Sequence, residues 1–400
     1  MDHCTAGLDW ASEAHAICIV DAHGATRESF EVAHDASGLG DLLRRLRRYP
    51  ELRLAIERPD GLLIDTLVDA GITVVPIHPN KLKAARERYS SSGAKSDGGD
   101  AYVLADLLRT DGHRFRALAP LSEETRALRA LVRTRDDDLV KARTALTNQL
   151  NAQLAAFWPG AAVLFQRVDS HIAIAFLERY PSPESAVHLG ERRLQAFLRR
   201  NAYCGRKPAA ELLGRLEAAP RGLVGAAESE ARSECVKALV AALKTLLPKI
   251  SELEGAIAVA LDEHADGAIF KSFPRAGEVN AAQLLAEIGD VRERFQSDDV
   301  LAMEGGVVPV TKRSGKARGV GFRWACNKRL RRALTTWADN TRHASLWAAG
   351  IYARARERGA DHPHATRILA RAWLRVLWRC WQDRVAYEPQ RHLGAIRLAA

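Results

Sequence analysis

The sequence predicts an α/β domain at the N-terminus, followed by a long and almost entirely helical remainder. Residues 5–33 contain three short strand-like stretches separated by polar turns, and helix-like and strand-like segments then alternate as far as residue 109. Beyond Pro120 the strand pattern disappears, and apolar residues recur at the spacing of helix faces. A chain of 400 residues is too long for one core, so we expect about two or three domains.

The first predicted domain covers residues 1–118. Its predicted strands are 6–10, 15–20, 26–32, 52–57 and 73–77, and its predicted helices are 39–49, 62–70, 80–88 and 98–109. A doubly wound domain would alternate strand and helix from its first strand, whereas this segment begins with three consecutive strands. The order βββαβαβα is that of the RNase H-like fold, which we therefore predict here.

The second predicted domain, 119–265, is helical. Leucines repeat at three- and four-residue steps along two long helices, 122–157 and 226–262, which could pair as a coiled-coil-like arm within one chain or across a dimer. The segment between them, 158–225, is helical but interrupted by prolines and glycines, and no role is indicated for it. We interpret the mid-helix acids Asp136–Asp138 as a solvated face.

The third predicted domain, 266–390, is mostly α-helical. Its predicted helices are 278–288, about 297–304, 327–348 and 364–383, with a glycine-rich basic loop at 305–323. Six of the eight tryptophans follow residue 320, and their helical spacing indicates core positions rather than platforms for stacking bases.

The charge and composition of the chain favour some classes of protein function and exclude others. The net charge is +10, and residues 311–332 hold nine lysines or arginines and no acid, which favours a nucleic acid over an ordinary solvated basic face. No apolar run is long enough for a membrane span, and there is no secretory signal. The six cysteines form no CxxC pair, which suits a cytoplasmic protein without disulfides or structural zinc. Neither a Walker loop nor a dinucleotide-binding glycine motif follows a strand, so a metabolic enzyme is not indicated.

Four acidic residues stand where predicted strands end or a predicted helix begins: Asp9, Glu57, Asp97 and Asp100. Asp9 ends the first strand and Glu57 the fourth, and these two strands are neighbours in an RNase H-like sheet. Asp97 and Asp100 share one face of a helix start. Four clustered carboxylates would raise one another's pKa without a cation. We therefore expect these acids to hold Mg²⁺ or Mn²⁺, which prefer oxygen ligands.

Each acid also has a structural alternative when it is taken singly. Asp97 could be a helix N-cap, and Asp9 could be a turn residue. The joint placement favours phosphodiester chemistry, in which two ions about 4 Å apart activate a nucleophile and stabilise the leaving oxygen.

These residues resemble a known family. Asp9, Glu57 and the segment Lys95–Ala101 are similar to the DEDD transposases of the IS110 group of insertion sequences, whose N-terminal domain is RuvC-like. Farther along, Ser272–Asp290 resembles the family's helix-hairpin-helix-like segment, and Gly305–Pro309 followed by Ser314-Gly315 resembles its signature loop. The chain departs from the family at Arg275, which replaces a hairpin glycine.

The resemblance implies a DNA transposase or recombinase that cuts and rejoins double-stranded donor and target DNA. It implies that Ser314 attacks a phosphodiester to form a transient phosphoserine link, that the metal-binding acids lie beside it, and that the protein acts as a homodimer or homotetramer close to the nucleoid. In some members a structured guide RNA pairs with both DNAs. The residues that we expect to contact nucleic acid are Arg275, Lys312, Arg313, Lys316, Arg318, Arg323, Lys328 and Arg329.

Two other functions remain open from the residues themselves. A RuvC-like nuclease or junction resolvase would use the acids alone, with Ser314 as a phosphate contact. A nucleic-acid-binding protein without activity would bind DNA without responding to Mg²⁺. Ser314 has no histidine near it in sequence, so metal activation suits it better than a serine–histidine relay.

Overall fold

The structure, a computed structural model, describes residues 3–57, 61–89, 96–220, 222–314 and 317–390. The chain divides into two compact units. The first unit comprises Met1–Ser122 with the short segment Val291–Gln296, and the second comprises Glu123–Asp290 with Ser297–Ala400. The predicted boundary between residues 265 and 266 therefore falls inside the second unit, and the division into three domains stays a prediction.

The first unit is built on a five-stranded mixed sheet. Its strands are β1 (Thr5–Asp9), β2 (Ala14–Val20), β3 (Thr26–Ala33), β4 (Arg53–Ile56) and β5 (Thr73–Pro76). They lie in the order β3-β2-β1-β4-β5. The first three strands are joined as antiparallel neighbours, whereas β1–β4 and β4–β5 are parallel pairs. All five predicted strands are present, and their bounds differ from the predictions by at most one residue.

Four helices belong to the same unit: α1 (Ala36–Leu46), α2 (Leu62–Asp69), α3 (Pro79–Tyr89) and α4 (Asp97–Asp111). Apolar residues of α1 and α2 pack with Leu8 and Ile17 in one core, and α4 covers the other face of the sheet. The α/β character of this domain is confirmed.

The second unit is mainly helical. Its helices are α5 (Glu123–Arg133), α6 (Val140–Phe157), α7 (Pro159–Leu164), α8 (His171–Arg179), α9 (Glu191–Arg200), α10 (Ala209–Ala218), α11 (Ala226–Glu263), α12 (Gly267–Lys271), α13 (Gly277–Ile288), α14 (Asp298–Glu304), α15 (Lys328–Thr341), α16 (Leu346–Glu357) and α17 (His362–Asp383). The long predicted helix 122–157 is α5 and α6 joined by a π-helical turn, Thr134–Leu139. Helices α6 and α11 pack together within the chain, with Leu150 and Val240 in one shared core. A coiled-coil geometry for this pair stays a prediction.

Two predictions for the C-terminal part are wrong. The segment predicted as a loop contains an antiparallel hairpin, β6 (Val310–Ser314) and β7 (Ala317–Gly321), so strands do occur beyond Pro120. The helix predicted at 327–348 ends at Thr341, and α16 is a separate helix that begins after the N-cap Ser345. Ser345 starts the second helix, because its side chain accepts a hydrogen bond from the Ala348 amide as an N-cap. In the part of the chain that the structure describes, no helix is both long and apolar enough to span a bilayer.

Candidate active site and nucleic-acid interface

The strand register places two of the four predicted acids side by side. Strands β1 and β4 are parallel, with Leu8 opposite Ile56, and Asp9 and Glu57 are the residues that follow this pair. Both acids are half-buried. Side chains alternate between the two faces of a strand, so Asp9 shares a face with Gly7, and Glu57 shares it with Ala55.

Helix α4 covers this face and runs antiparallel to β1. The Thr5 hydroxyl donates to the carbonyl oxygen of Ala105 at 2.9 Å. A Cβ atom at Gly7 would lie 2.0 Å from the carbonyl oxygen of Ala101, so this glycine is what lets helix and strand approach so closely. From Thr5 to Gly7 the strand advances by two residues, while the helix residue that it contacts changes by four, from Ala105 to Ala101. The same step repeated leads from Gly7 to Asp9 on the strand and from Ala101 to Asp97 at the start of α4.

The start of α4 is set by Ser96. Its hydroxyl accepts from the Gly99 amide at 3.2 Å, so Ser96, and not Asp97, is the N-cap. Asp97 is exposed and Asp100 is buried. Both carboxylates lie in the first turn, where the partial positive charge of the helix terminus favours them.

Asp100 is compensated by a cation that the sequence did not single out. The Arg86 guanidinium of α3 donates to both Asp100 carboxylate oxygens, at 2.5 and 2.6 Å. The Asp100 side chain is only 4% exposed, so a positive partner is required at this position. Arg86 carried no signal in sequence, because it is one of several cations on a polar helix.

Within the described ranges, no three histidine, cysteine, aspartate or glutamate side chains come together closely enough to hold a metal ion. The register brings the backbones of Asp9 and Glu57 together near the start of α4, whereas the Asp100 side chain turns to Arg86. Lys95, which belongs to the family-like segment, lies outside the described residues.

A second buried acid on α4 was missed by sequence reasoning. Asp106 accepts hydrogen bonds from the Tyr89 hydroxyl and from Arg109, whose Nε lies 2.7 Å away. Burial and the hydrogen bond to Asp106 raise the pKa of Tyr89 to about 12. These contacts tie α3 to α4 and so help to fix the helix that carries Asp97 and Asp100.

Ser314, the predicted nucleophile, is exposed and is the last residue of β6. It pairs across the hairpin with Ala317. Of the predicted contacts in this hairpin, Lys316 lies outside the described residues, as do the side chains of Lys312, Arg313 and Arg318. The hairpin backbone therefore presents Ser314 at the tip of a basic segment.

The hairpin-like turn before α13 explains the departure at Arg275. This residue has φ of 57°, in the left-handed region that favours glycine, and its side chain is exposed. The neighbouring turn residues are fixed by the core, since Phe273 stacks on Tyr387 and the Pro274 carbonyl accepts from the Trp337 indole at 3.0 Å. The turn thus adopts the glycine conformation while it carries a cation at its surface.

Two other residues that were predicted to contact nucleic acid, Lys328 and Arg329, differ in their surroundings. Lys328, the first residue of α15, is exposed. Arg329 forms an ion pair with Asp137 of the π-helical turn. Burial acts to raise the pKa of Asp137, but hydrogen bonds from Arg329 and Lys141 outweigh it and lower that pKa to about 2. Part of the charge of Arg329 is therefore balanced within the protein.

The interpretation of Asp136–Asp138 as a solvated face is wrong for Asp136, which is buried. Its carboxylate accepts from Arg135 and from Gln283 of α13, each at 2.6 Å. The π-helical turn holds an extra residue per turn and so rotates Asp136 inward, a change that α-helical periodicity cannot reveal. Nearby, the buried Glu287 accepts from Arg133 at 3.0 Å and from Asn327, the N-cap of α15, at 2.8 Å.

Comparisons with known proteins identify relatives of this chain. A family model described as a transposase matches residues 6–159, and the model of the transposase IS116/IS110/IS902 family matches residues 267–353. The chain is 34% identical to the mini-circle putative transposase for IS117 of Streptomyces coelicolor, over 98% of this chain and 97% of that protein. It is 31% identical to an uncharacterized 43.6 kDa protein of insertion element IS110 from the same organism, over 83% of this chain and 81% of that protein. An uncharacterized 42 kDa protein of insertion element IS900 from Mycobacterium paratuberculosis is 27% identical over 96% of this chain and 97% of its own length.

Proposed function

We propose that this chain, which belongs to the IS116/IS110/IS902 family of insertion-sequence transposases, cuts and rejoins DNA with acids of its first unit and a serine of its second. The observation that carries the proposal is the register of β1 and β4. In this register Asp9 and Glu57 directly follow the paired residues Leu8 and Ile56, and the first turn of α4 holds Asp97 and Asp100.

The fold proposed for the first unit is RNase H-like, of the RuvC type. Its support is the strand order β3-β2-β1-β4-β5, with an antiparallel three-stranded half followed by two parallel strands. In this topology the carboxyl end of the central strand is next to that of β4, which is where two of the acids lie.

The proposed cofactor is Mg²⁺ or Mn²⁺, held by Asp9, Glu57, Asp97 and Asp100. The donor set fits such an ion in its chemistry, because it consists of carboxylates without nitrogen or sulfur ligands. Asp100 already has a cationic partner in Arg86, so as a ligand it would exchange this partner for the metal ion. When bound, the ions would supply charge that stabilises a phosphodiester during cleavage.

Ser314 is the proposed nucleophile. Its oxygen would form a bond to phosphorus, while the bond from phosphorus to one deoxyribose oxygen breaks and that oxygen takes up a proton. Rejoining reverses these events with a second DNA end, so the phosphoserine link conserves the energy of the broken bond. A serine hydroxyl needs activation. The exposed position of Ser314 in a basic hairpin suits an approach by a charged DNA backbone.

The decisive experiment is capture of the covalent intermediate. End-labelled DNA carrying the element ends is incubated with protein and Mg²⁺ and denatured in detergent, and label that migrates with protein is measured. We expect Ser314→Ala to abolish both the adduct and cleavage, whereas the matched hydroxyl deletion Thr311→Ala on the same strand retains them. Cleavage that persists in Ser314→Ala would favour the RuvC-like nuclease or junction resolvase instead.

The acids are tested in the same assay. Asp9→Asn and Glu57→Gln should each abolish cleavage while leaving DNA binding within about twofold, since they remove charge at the site and little else. Asp65→Asn, on the exposed side of α2, is the control. Binding by the wild-type protein without any Mg²⁺-dependent reaction on DNA would support a binding protein that lacks activity.

The proposed partners are double-stranded donor and target DNA, with a structured guide RNA and with further copies of the chain as a homodimer or homotetramer, in the cytoplasm close to the nucleoid. Purification from the native host with and without ribonuclease, followed by mass measurement of the particle, tests the RNA and the number of copies together. A particle whose mass equals one chain and does not change with ribonuclease would contradict both.

A further inference from the structure

Two exposed aromatic residues follow the basic hairpin. Phe322 is 37% exposed and Trp324 is 75% exposed, in contrast to Trp337 and Trp373, which are fully buried. The prediction that the late tryptophans are core residues is thus confirmed for those two and for Trp381, and it is wrong for Trp324. The rings of Phe322 and Trp324 meet edge to face, with centroids 4.8 Å apart.

Two arginines hold Phe322 from neighbouring helices. The guanidinium carbons of Arg331 on α15 and Arg367 on α17 lie 4.5 and 4.9 Å from the centroid of the Phe322 ring. Burial lowers the pKa of Arg367, and the like charge of Arg331 lowers it further, although Asp361 acts in the opposite direction. In the described part of the chain, neither guanidinium forms an ion pair with a carboxylate, and Arg331 donates to the carbonyl oxygen of Arg323 at 2.9 Å. The pair therefore favours an anion beside it.

Phe322 and Arg367 each line two cavities. One, the apolar cavity, of about 230 Å³, has apolar walls from Val307, Pro309 and Ile368 and is also lined by Arg323 and His364. The other, of about 480 Å³, is lined by cations, among them Arg331 and Arg367.

Polar atoms without partners lie in the lining of these cavities. Thr366, which is 5% exposed and lines the cationic cavity, has a buried hydroxyl without a hydrogen-bond partner in the described residues. Arg323 lines the apolar cavity, and its buried Nε also lacks a partner there. Buried polar atoms usually find partners in protein, water or a ligand, so these two add to the polar character of the cavity linings.

We propose that the exposed indole of Trp324, which Phe322 contacts edge to face, stacks on an unpaired base of DNA, whose phosphate is bound by Arg331 and Arg367. This inference rests on the proposed function, because strand exchange exposes unpaired bases. A base within a duplex is already stacked on both faces, so only an unpaired or extruded base can offer a face to an exposed indole. The single acid in the cationic cavity, Asp339, is engaged by Arg342 at 2.7 Å. A phosphate therefore complements this surface in charge.

The test compares two DNA probes of equal length, a fully paired duplex and the same duplex with a short run of unpaired thymines. We expect Trp324→Ala to weaken binding of the unpaired probe by about 10- to 100-fold and to change duplex binding by less than about twofold. Trp324→Phe should restore most of the affinity, since it keeps an aromatic face. Arg367→Gln should lower the salt dependence of binding to the unpaired probe by about one phosphate contact.

Leu346→Ala serves as the matched control, because Leu346 is an 89% exposed apolar residue that lines neither cavity. Equal weakening of both probes by Trp324→Ala, or no weakening, overturns this inference alone. If the protein binds the same unpaired run more tightly in RNA than in DNA, and if Trp324→Ala weakens binding of the RNA probe alone, the assignment to DNA is overturned. A wild-type protein that binds neither DNA probe overturns the proposed function and this inference with it.

Discussion

Gly7→Ala is the perturbation that best tests how the fold positions the acids. A methyl group at Gly7 would lie 2.0 Å from the Ala101 carbonyl oxygen and 2.5 Å from the Ala105 amide nitrogen. Both atoms belong to the main chain of α4, so no side-chain rotation can relieve the contact. The helix must move away from β1.

The size of the effect follows from these distances. Ordinary van der Waals contact begins at 3.4 Å, so the gap at Ala101 has to open by 1.4 Å from 2.0 Å. The hydrogen bond from the Thr5 hydroxyl to Ala105, now 2.9 Å, is then lost. Overpacking costs about 2 kcal/mol and a buried hydrogen bond about 1 kcal/mol, so the free energy of unfolding of the first unit should fall by about 3 kcal/mol.

Hydrogen exchange read by mass spectrometry is the suitable assay, because a chain of two units need not unfold in one transition. Peptides from β1 and α4 should lose about 100-fold in protection, which is the equivalent of about 3 kcal/mol. Gly40→Ala adds the same methyl group inside α1, where nothing lies within 4 Å. That control should gain about 0.5–1 kcal/mol, as alanine does in helices.

The displaced helix carries Asp97 and Asp100, so Mg²⁺-dependent DNA cleavage by Gly7→Ala should also fall by about 100-fold. Protection of β1 and α4 within about threefold of the wild-type value would contradict this prediction. It would mean that α4 does not approach β1 as closely as the distances at Gly7 indicate.

Three further predictions concern charge. The pKa of Asp137 is lowered to about 2, so its stabilising ion pair with Arg329 is present above the ordinary pKa of 3.8 and is lost as the pH falls toward 2. The free energy of unfolding, measured with urea at a series of pH values, should therefore fall by about 1 kcal/mol less in Asp137→Asn than in the wild type as the pH falls from 3.8 toward 2. This figure is reduced because Arg329 is exposed to solvent; an equal fall in both proteins would contradict the assignment. Arg275→Gly keeps the left-handed turn, so we expect unchanged thermal stability. The salt dependence of the DNA-binding constant should decrease by about one phosphate contact. An unaltered salt dependence would mean that Arg275 does not contact DNA. Arg86→Met leaves Asp100 buried without its cation and should destabilise the first unit by about 3 kcal/mol in EDTA. Mg²⁺ should restore part of this loss. A melting temperature that does not change when Mg²⁺ is added would count against Asp100 as a ligand.

Much of the first unit could be predicted from sequence, because its signals are local. The short apolar run of β2 reflects burial on both faces of the sheet, and the apolar face of α1 reflects one buried side, so these patterns locate both elements within a few residues. The positions of Asp9 and Glu57 at strand ends were visible for the same reason. That these strands are neighbours depended on the order of the elements, and the sheet confirms it.

Other features depend on contacts between distant residues. The hairpin β6–β7 was predicted as a loop because its glycines and cations weaken the strand pattern, whereas cross-strand hydrogen bonds stabilise it in the fold. Trp324 shares its residue type with the buried Trp337, and only the course of the chain after β7 leaves it exposed. Asp136 was misread because a π-helical turn changes which side faces inward.

The amino-acid sequence alone indicates the α/β-then-helical organisation, the acids at strand and helix termini and the basic segment around Ser314. Each of these is a property of neighbouring residues. Three contacts are visible only in the folded chain: α4 packs closely on β1 at Gly7, Arg86 pairs with Asp100, and Arg331 and Arg367 meet over Phe322. Such partners are brought together by packing, which depends on distances that no local pattern encodes.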